Sequence, residues 1–418
     1  MSNESKLNGV YRSLLECTAY YKHTLPLCAA ENAISTFCKI PLGGDFQERY
    51  IMGNTYSYEL EGNFIGSQTL LPFYQYVHDE CHKLFGADYS DARTLSGMNC
   101  MTTLLMSLTS INDKIAILPA AWGGHPSVSI VCERLGLRVY DLPYDHDNWD
   151  IDYNKANELI EQEQIRYILL APSDIIHPLA VEKLSLKDHI LLYDISQIMG
   201  LIAGGVIPCP IHLENTILFG GTHKTLPGPA SGLIMTNSEN LHEQIEHNIN
   251  PNYLRNTQMH QVISLLFALL EASYFGAAYS NAIVSSANEL GAYLAKEGFT
   301  LGKTKNKYSE THQLFIFCNR EEMNHISRNA IRYSVTLNKK EKPLFNGTGI
   351  RLGTQEIARY GWGSDTLRHI SKIIKELKLA NPDETAIHRI KSFLPNKKIY
   401  YTFPESMYEE FLSQLHQE

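Results

Sequence analysis

The stretch NTILFGGTHKTLPGPASGLIM, residues 215–235, places a lysine between two short apolar runs. The runs at 217–219 and 233–235 predict buried strands, and the Gly- and Pro-rich residues 226–232 predict a turn. Glycines before Lys224 allow another molecule to approach it closely, which is unusual for a solvated surface lysine. A lysine held in this way is typical of a nucleophile that forms a Schiff base. The alternative is a lysine that reaches solvent from a strand end, and other parts of the chain have to decide between the two.

The composition is that of an ordinary globular protein. The chain has 418 residues, of which 44% are hydrophobic and 19% charged, enough for a large core and two or three domains. Its net charge of −9 argues against binding to nucleic acid or to an anionic membrane surface. Eight scattered cysteines without a CxxC pair predict reduced thiols rather than a disulfide frame or a metal site. With a polar N-terminus and no apolar run of spanning length, we expect a cytoplasmic protein.

Apolar strands alternate with helical segments in the first half of the chain. Strands are predicted at 114–119, 138–142, 167–171, 190–193 and 216–219, and helices at 127–135 and 154–163. Near-continuous apolar strands separated by helices predict an α/β fold, in which helices cover both faces of a mostly parallel sheet.

The rest of the pattern predicts the domain organisation. Helical spacing at 70–85 ends at Gly86, and a long helix is predicted from 258 to 277 and beyond. Weaker, mixed periodicity after residue 300 predicts a smaller α+β domain. We therefore expect an N-terminal segment that packs on both domains (1–45), a large domain (46–275), and a small C-terminal domain with a tail (276–418).

Two positions near predicted helix and strand ends indicate a ligand site. Ser96 and Gly97 precede a helix predicted at 100–108, where unpaired backbone N–H groups favour an anion. The alternative there is an ordinary helix cap. His125 follows the strand at 114–119, and parallel sheets gather their ligand sites at such strand ends. Its ring could lie on an aromatic cofactor, and the alternative is a histidine in a surface loop.

Two further charged residues complete the set. Asp194 closes the apolar run 190–193, and a carboxylate buried there needs a partner. A pyridinium nitrogen is one such partner, and a helix N-cap role is the alternative. Arg351 lies between glycines in GIRLGT, where a guanidinium can bind a carboxylate through two hydrogen bonds; alone, such an arginine is more often structural. Together with Lys224, these residues provide what pyridoxal phosphate (PLP) needs to act on an amino acid.

Over nearly its whole length the chain resembles serine hydroxymethyltransferase, a fold-type-I PLP enzyme. The most specific matches are THKT at 222–225, with Gly228 and Pro229 after it, and GIRLGT at 349–354. Further matches lie at 29–32, 84–89, 96–97, 123–125, 194 and 200–203. The resemblance implies a fold-type-I PLP transferase with a large and a small domain, and a homodimer whose active sites lie at the subunit interface.

The resemblance also implies roles for the matching residues. The expected catalytic residues are Lys224, which forms the Schiff base with PLP, Asp194, which pairs with the pyridine nitrogen, His125, which stacks on the ring, and His223. The expected cofactor-binding residues are Ser96, Gly97, Met98, His125, Asp194, Gln197, Thr222 and Lys224. The expected substrate-binding residues are Arg351 for the substrate carboxylate, Glu31, and Tyr50, which reaches the neighbouring subunit's site. No metal site is expected.

The chain departs from the family pattern around the reacting carbon and the folate. Family residues are replaced by Ala30, Gln197, Gly220, Gly221, Ala230 and the loop 252–257. The family's catalytic glutamate falls at Met52, in a loop rebuilt with extra residues, where Glu59 or Glu61 could substitute for it. The PLP-binding frame is therefore kept, while the surroundings of the substrate differ.

These departures favour folate-independent chemistry. We expect an enzyme that forms a carbanion at Cα of a small amino acid by retro-aldol and aldol reactions, with an aldehyde as a candidate co-substrate. A threonine aldolase or transaldolase of specialised amino-acid metabolism is the preferred interpretation. The alternatives are a true serine/glycine hydroxymethyltransferase and a redirected PLP enzyme, such as an aminotransferase, racemase or decarboxylase. From another class, a PLP-fold partner subunit without catalysis is disfavoured because the lysine, aspartate, histidine and arginine are all present.

Overall fold

The structure is a computed structural model that describes residues 3–51 and 66–415. Its helices are α1 (Asn3–His23), α2 (Thr36–Lys39), α3 (Pro72–Phe85), α4 (Gly97–Leu108), α5 (Ser127–Arg134), α6 (Tyr153–Gln162), α7 (Met199–Ala203), α8 (Glu239–Asn248), α9 (Met259–Lys296), α10 (Arg320–Arg332), α11 (Gln355–Arg359), α12 (Ser364–Leu377), α13 (Glu384–Lys391) and α14 (Glu409–Leu415). Its strands are β1 (Leu25–Pro26), β2 (Tyr89–Asp91), β3 (Lys114–Ile117), β4 (Arg138–Asp141), β5 (Tyr144–Asp145), β6 (Asp150–Ile151), β7 (Tyr167–Leu170), β8 (Ile190–Asp194), β9 (Thr216–Gly221), β10 (Gly232–Thr236), β11 (Thr300–Leu301), β12 (Gln313–Phe317), β13 (Val335–Thr336), β14 (Asn338–Lys340) and β15 (Gly349–Gly353).

A seven-stranded sheet organises the first half of the chain. Its order is β2-β10-β9-β8-β7-β3-β4, and β10 runs against the direction of the other strands. Every residue of β7, β9 and β10 is buried, because helices cover both faces of the sheet. The predicted α/β fold with a mostly parallel sheet is confirmed. The predicted strands occur within a few residues of their expected bounds, and Gly86 ends α3 in the left-handed conformation (φ 71°).

A second, four-stranded antiparallel sheet forms after residue 300. Its order is β11-β12-β15-β14, and β15 carries Arg351 in its middle. The core of this part also takes in Leu25 and Leu27, because β1 pairs with β13 in parallel. The chain segment before residue 30 therefore packs into the core around the C-terminal, four-stranded sheet.

The long helix α9 connects the last strand of the large sheet to the first strand of the second sheet. By length and composition alone α9 could cross a membrane, but 56% of its most apolar window is buried inside the protein, as in a core helix. The predicted boundary at residue 275 falls within α9, and the division into 1–45, 46–275 and 276–418 stays a prediction. The positions of Met52, Glu59 and Glu61 lie outside the described residues.

A buried ion pair ties α9 to the chain ends. Arg359 Nη2 donates to Glu271 Oε2 (2.7 Å), and both side chains are almost fully buried. Arg359 also donates to Ala33 O (3.0 Å) and Tyr401 O (2.9 Å). Thr402 Oγ1 donates to the other oxygen of Glu271 (2.5 Å). Three N–H donors of Arg359 and both carboxylate oxygens of Glu271 are thus engaged, and this pair stabilises the contact of α9 with both terminal segments.

The substitution Glu271→Gln is expected to destabilise the protein by about 3–5 kcal/mol, because Arg359 would keep a buried charge without its counterion. The control is Asp365→Asn, which breaks the exposed pair of Asp365 with Arg368 (2.8 Å) and is expected to leave the thermal midpoint nearly unchanged. Thermal unfolding followed by circular dichroism measures both variants. Equal midpoints would contradict the stabilising role of the buried pair.

Candidate active site

The turn between β9 and β10 holds Lys224 at the carboxyl end of the large sheet. Thr222 Oγ1 donates to Pro229 O (2.7 Å) and so ties the two sides of the turn together. Asn32 Nδ2 donates to Lys224 O (2.5 Å) and also to the hydroxyl of Tyr279 on α9 (2.8 Å). The lysine backbone is therefore fixed by the turn, the N-terminal segment and the core helix.

The Lys224 amine has the properties of a nucleophile. The residue is half-buried, and its burial lowers the pKa of the amine, while Asp194 raises it and Arg351 lowers it further. Among the residues that the structure describes, none forms a hydrogen bond or an ion pair with Nζ. A lowered pKa increases the neutral fraction of the amine, and only the neutral amine attacks a carbonyl carbon.

Asp194, the last residue of β8, accepts hydrogen bonds through one of its two carboxylate oxygens. Its Oδ1 accepts from the backbone N of Ser196 (2.8 Å) and from the Ser196 hydroxyl. Its Oδ2 takes part in no hydrogen bond or ion pair with the described part of the chain. The carboxylate is thus oriented by one oxygen and can bind a cationic ligand group through the other.

His125 lies on the loop that follows β3. Its backbone N–H donates to Ala171 O (2.8 Å). The ring Nδ1 accepts from Ser127 N (3.3 Å), which assigns the ring proton to Nε2. Burial lowers the pKa of His125, opposed by Asp194. At neutral pH the ring is therefore uncharged, and its flat face is suited to contact an aromatic ligand.

The start of α4 meets the end of β9 at a close backbone contact. A Cβ atom on Gly97 would lie 2.7 Å from Gly221 N, so a side chain there would separate the two segments. Ser96 caps α4 by accepting from Asn99 N (3.1 Å). Nearby, His223 Nδ1 is buried without a hydrogen-bond partner among the described residues, and burial, assisted by Lys224, lowers the pKa of His223 to about 4. These features together fit an anion that accepts hydrogen bonds at the helix start.

The other predicted site residues are placed less directly. The Met98 side chain is exposed, and so is that of Glu31. Gln197 is buried, and its Oε1 accepts from Gln313 Nε2 (2.9 Å). Tyr50 is half-buried and lies one residue before Ile51, after which the described residues break off until residue 66. The roles of these residues stay predictions.

Arg351 is buried and largely committed to the protein itself. Its Nη1 donates to Asp174 Oδ1 (2.9 Å) and Ser173 O (2.6 Å), and its Nε and Nη2 both donate to Asn338 Oδ1 (3.0 and 2.7 Å). Four of its five N–H donors are engaged, so the expected two-pronged grip on a carboxylate requires rearrangement. Asp174 also pairs with Lys340 (2.7 Å).

Sequence reasoning missed Asp174 and Asn338, although a signal for Asp174 exists. Asp174 follows β7 closely, as Asp194 ends the neighbouring strand β8, and carboxyl ends of adjacent parallel strands lie together. The side chain of Asp174 is fully buried. Burial raises its pKa, but Arg351, Lys340 and Lys342 outweigh that effect, so the pKa of Asp174 is lowered.

Comparison with known proteins decides the family. The model of the family described as serine hydroxymethyltransferase matches residues 9–374. The chain belongs to the serine hydroxymethyltransferase family. Among its relatives, the serine hydroxymethyltransferase of Pyrobaculum aerophilum is 29% identical over 384 residues, covering 88% of this chain and 87% of the relative. That of Methanobrevibacter smithii is 28% identical over 409 residues, covering 94% and 95%.

A solved structure shows the same fold. The crystal structure of L-threonine transaldolase from Pseudomonas fluorescens superposes on this serine hydroxymethyltransferase-family chain with a TM-score of 0.89, covering 100% of this chain and 99% of the other. The sequence identity is 24%, so the likeness concerns the fold. The protein is a PLP-dependent enzyme of fold type I, as predicted.

PLP is the cofactor, and the residues of the site fit it. Asp194 has a carboxylate oxygen that would suit the pyridine nitrogen, and Lys224 has an unpaired amine that would suit the aldehyde carbon. The start of α4 at Gly97 and the His223 Nδ1, which has no partner among the described residues, would suit the phosphate. His125 presents a neutral ring for stacking.

Borohydride reduction of the purified protein is expected to attach PLP covalently to Lys224, because this amine is unpaired and its pKa is lowered. Peptide mass spectrometry locates the label, and Lys224→Met is expected to remain unlabelled. Lys339, whose exposed amine pairs with Glu341 (2.7 Å), serves as the internal control. Labelling of Lys339 to the same extent would show that the reaction does not report on the site.

Proposed function

We propose that the protein catalyses folate-independent aldol cleavage and transfer on small β-hydroxy-α-amino acids, as a threonine aldolase or transaldolase does. The observation that carries the proposal is the Lys224 amine, which is unpaired within the described chain and whose pKa is lowered by burial. Family membership supports amino-acid chemistry with PLP. The position of the family's folate-side glutamate falls at Met52, which supports independence from folate.

When bound, PLP supplies an electron sink for the negative charge that develops at the substrate Cα. Asp194, held by Ser196, would keep the proton on the pyridine nitrogen. Arg351 would orient the α-carboxylate through the one N–H donor that is not engaged within the protein. Lys224 Nζ is placed to receive and return protons. His125 would stack on the cofactor ring and exclude water from it.

A true serine hydroxymethyltransferase is the second candidate, because the curated relatives at 28–29% identity carry that name. It requires a carboxylate at the folate side, and the candidates Glu59 and Glu61 lie outside the described residues. The two functions differ in whether cleavage of the substrate Cα–Cβ bond depends on folate.

L-Threonine is expected to be cleaved to glycine and acetaldehyde without folate. Asp194→Asn is expected to lower kcat on the order of 100-fold, as the loss of an electrostatic stabiliser does. Acetaldehyde release coupled to an alcohol dehydrogenase measures the rate. Serine cleavage that is absent without tetrahydrofolate and restored by it, with threonine inert, would contradict the proposal and favour the second candidate.

We also infer a cytoplasmic homodimer. Enzymes of this family are typically dimeric, and α1 supports a subunit contact because its apolar side chains are exposed: Leu7 50%, Val10 57%, Leu14 63% and Leu15 70%. An apolar helix face of this kind is normally covered by another surface.

The double substitution Leu14→Glu and Leu15→Glu is expected to convert the dimer to a monomer, because two charges would enter an apolar interface. Sedimentation equilibrium measures the mass. The control is Glu16→Gln on the same helix, which is expected to stay dimeric. A dimer that persists in the double variant would exclude α1 as its interface.

A further inference from the structure

Three cationic side chains converge on one buried carboxylate beside the site. Asp174 Oδ1 contacts Arg351 Nη1 (2.9 Å) and Lys340 Nζ (2.7 Å), and its Oδ2 contacts Lys342 Nζ (2.5 Å). The side chains of Lys340 and Lys342 are each 16% exposed. Lys340 ends β14, in which Asn338 is paired with Arg351 of β15, and Lys342 lies in the turn after β14.

The charges of this cluster do not balance. One carboxylate faces three cations, which leaves an excess of two positive charges in a poorly hydrated place. A single cation would satisfy a buried carboxylate, and each additional buried ammonium costs desolvation energy. Burial, followed by Arg351, lowers the pKa of Lys340 to about 8, so Lys340 remains mostly charged at neutral pH. A bound anion would offset the excess.

The cluster adjoins the loop that carries His125. Ser173 N and Asp174 N donate to Gly123 O (2.7 and 3.0 Å), and Lys342 Nζ donates to Ala120 O (3.0 Å). Arg351 also contacts Ser173 and Asp174. The two lysines therefore lie near both the arginine expected to hold the α-carboxylate and the loop of the histidine expected to cover the cofactor. The α-carboxylate offsets one of the two excess charges, and the second is left for another group of the substrate.

We propose that Lys340 and Lys342 form a subsite for a second negatively charged group of the substrate, beyond the α-carboxylate held by Arg351. The proposal rests on the proposed aldol function and names its substrate class as an aldehyde that carries a carboxylate or a phosphate. In the forward reaction a bond forms between glycine Cα and the aldehyde carbon. The Cα proton is transferred, in net terms, to the aldehyde oxygen, and nothing is oxidised or reduced.

The opposing interpretation is that the lysines only hold Asp174 in place. Lys342 also donates to Ala120 O (3.0 Å), which gives it a structural contact. Lys339 separates the two interpretations, because it lies on the same strand as Lys340 but is exposed and pairs with Glu341. Its replacement changes the charge of the strand without changing the cluster.

Isothermal titration of the holoenzyme at pH 7 with L-aspartate and with L-asparagine tests the subsite, because the two ligands share their shape and differ in side-chain charge. Aspartate is expected to bind about 10- to 100-fold more tightly than asparagine, because hydrogen bonds between charged groups are stronger than those to a neutral amide. In Lys340→Met with Lys342→Met, which keep the side-chain volume, this ratio is expected to fall below about threefold. Lys339→Met is expected to keep the wild-type ratio.

Three outcomes would overturn the subsite: equal binding of the two ligands by the wild type, a ratio that survives in the double variant, or equal loss of asparagine and aspartate binding. The last would leave the lysines a structural role only. Threonine cleavage by the wild type is measured separately, so a preserved ratio with no cleavage would reject the aldol function and leave the subsite intact.

Assays with glycine and different aldehyde acceptors distinguish whether the second anionic group is a carboxylate or a phosphate. Glyoxylate, glycolaldehyde phosphate and neutral glycolaldehyde are compared by their KM values in the wild type. A lower KM for glyoxylate assigns a carboxylate, and a lower KM for glycolaldehyde phosphate assigns a phosphate. The lowest KM for neutral glycolaldehyde would reject the subsite.

Discussion

The site depends on keeping charged side chains out of water at the carboxyl end of the large sheet. Asp194 ends β8, Asp174 follows the adjacent strand β7, and Lys224 follows β9. Each carboxylate is held by donors from its surroundings, Ser196 for Asp194 and Arg351 for Asp174. The amine of Lys224 is the member left without such a partner in the described chain, and its lowered pKa follows from that position.

The second sheet completes the site by reaching across to the first. Arg351 on β15 bonds Ser173 and Asp174 in the segment after β7. Gln313 on β12 similarly bonds Ser173 O (3.1 Å) and Gln197. The relative position of the two sheets therefore determines how far the guanidinium lies from the amine. The groups that accept hydrogen bonds from this arginine are a carboxylate and amide oxygens, and a substrate carboxylate is an acceptor of the same kind.

Local patterns in the sequence predicted the parts of the fold that depend on neighbouring residues. The apolar runs of β7, β8 and β9, the Gly86 cap and the helix of α9 all arise from side-chain periodicity, and Lys224, Asp194 and Ser96 could be identified from their places at strand and helix ends. The cluster around Asp174 could not, because Asp174 and Arg351 are 177 positions apart and only the packing of the two sheets brings them together. Nor does periodicity tell whether an apolar face such as that of α1 is covered by its own chain.

The parallel pairing of β1 with β13 has a consequence for how the protein is made. Residues 25 and 26 leave the ribosome early, yet their partners are Val335 and Thr336. Asn32, just beyond β1, secures the backbone of Lys224. During synthesis the first strand therefore stays without a partner until more than three hundred residues have followed it, and contacts so distant along the chain form slowly. A nascent chain can build the large sheet well before it can finish the pocket, so competence to bind substrate is expected to appear only near the end of translation.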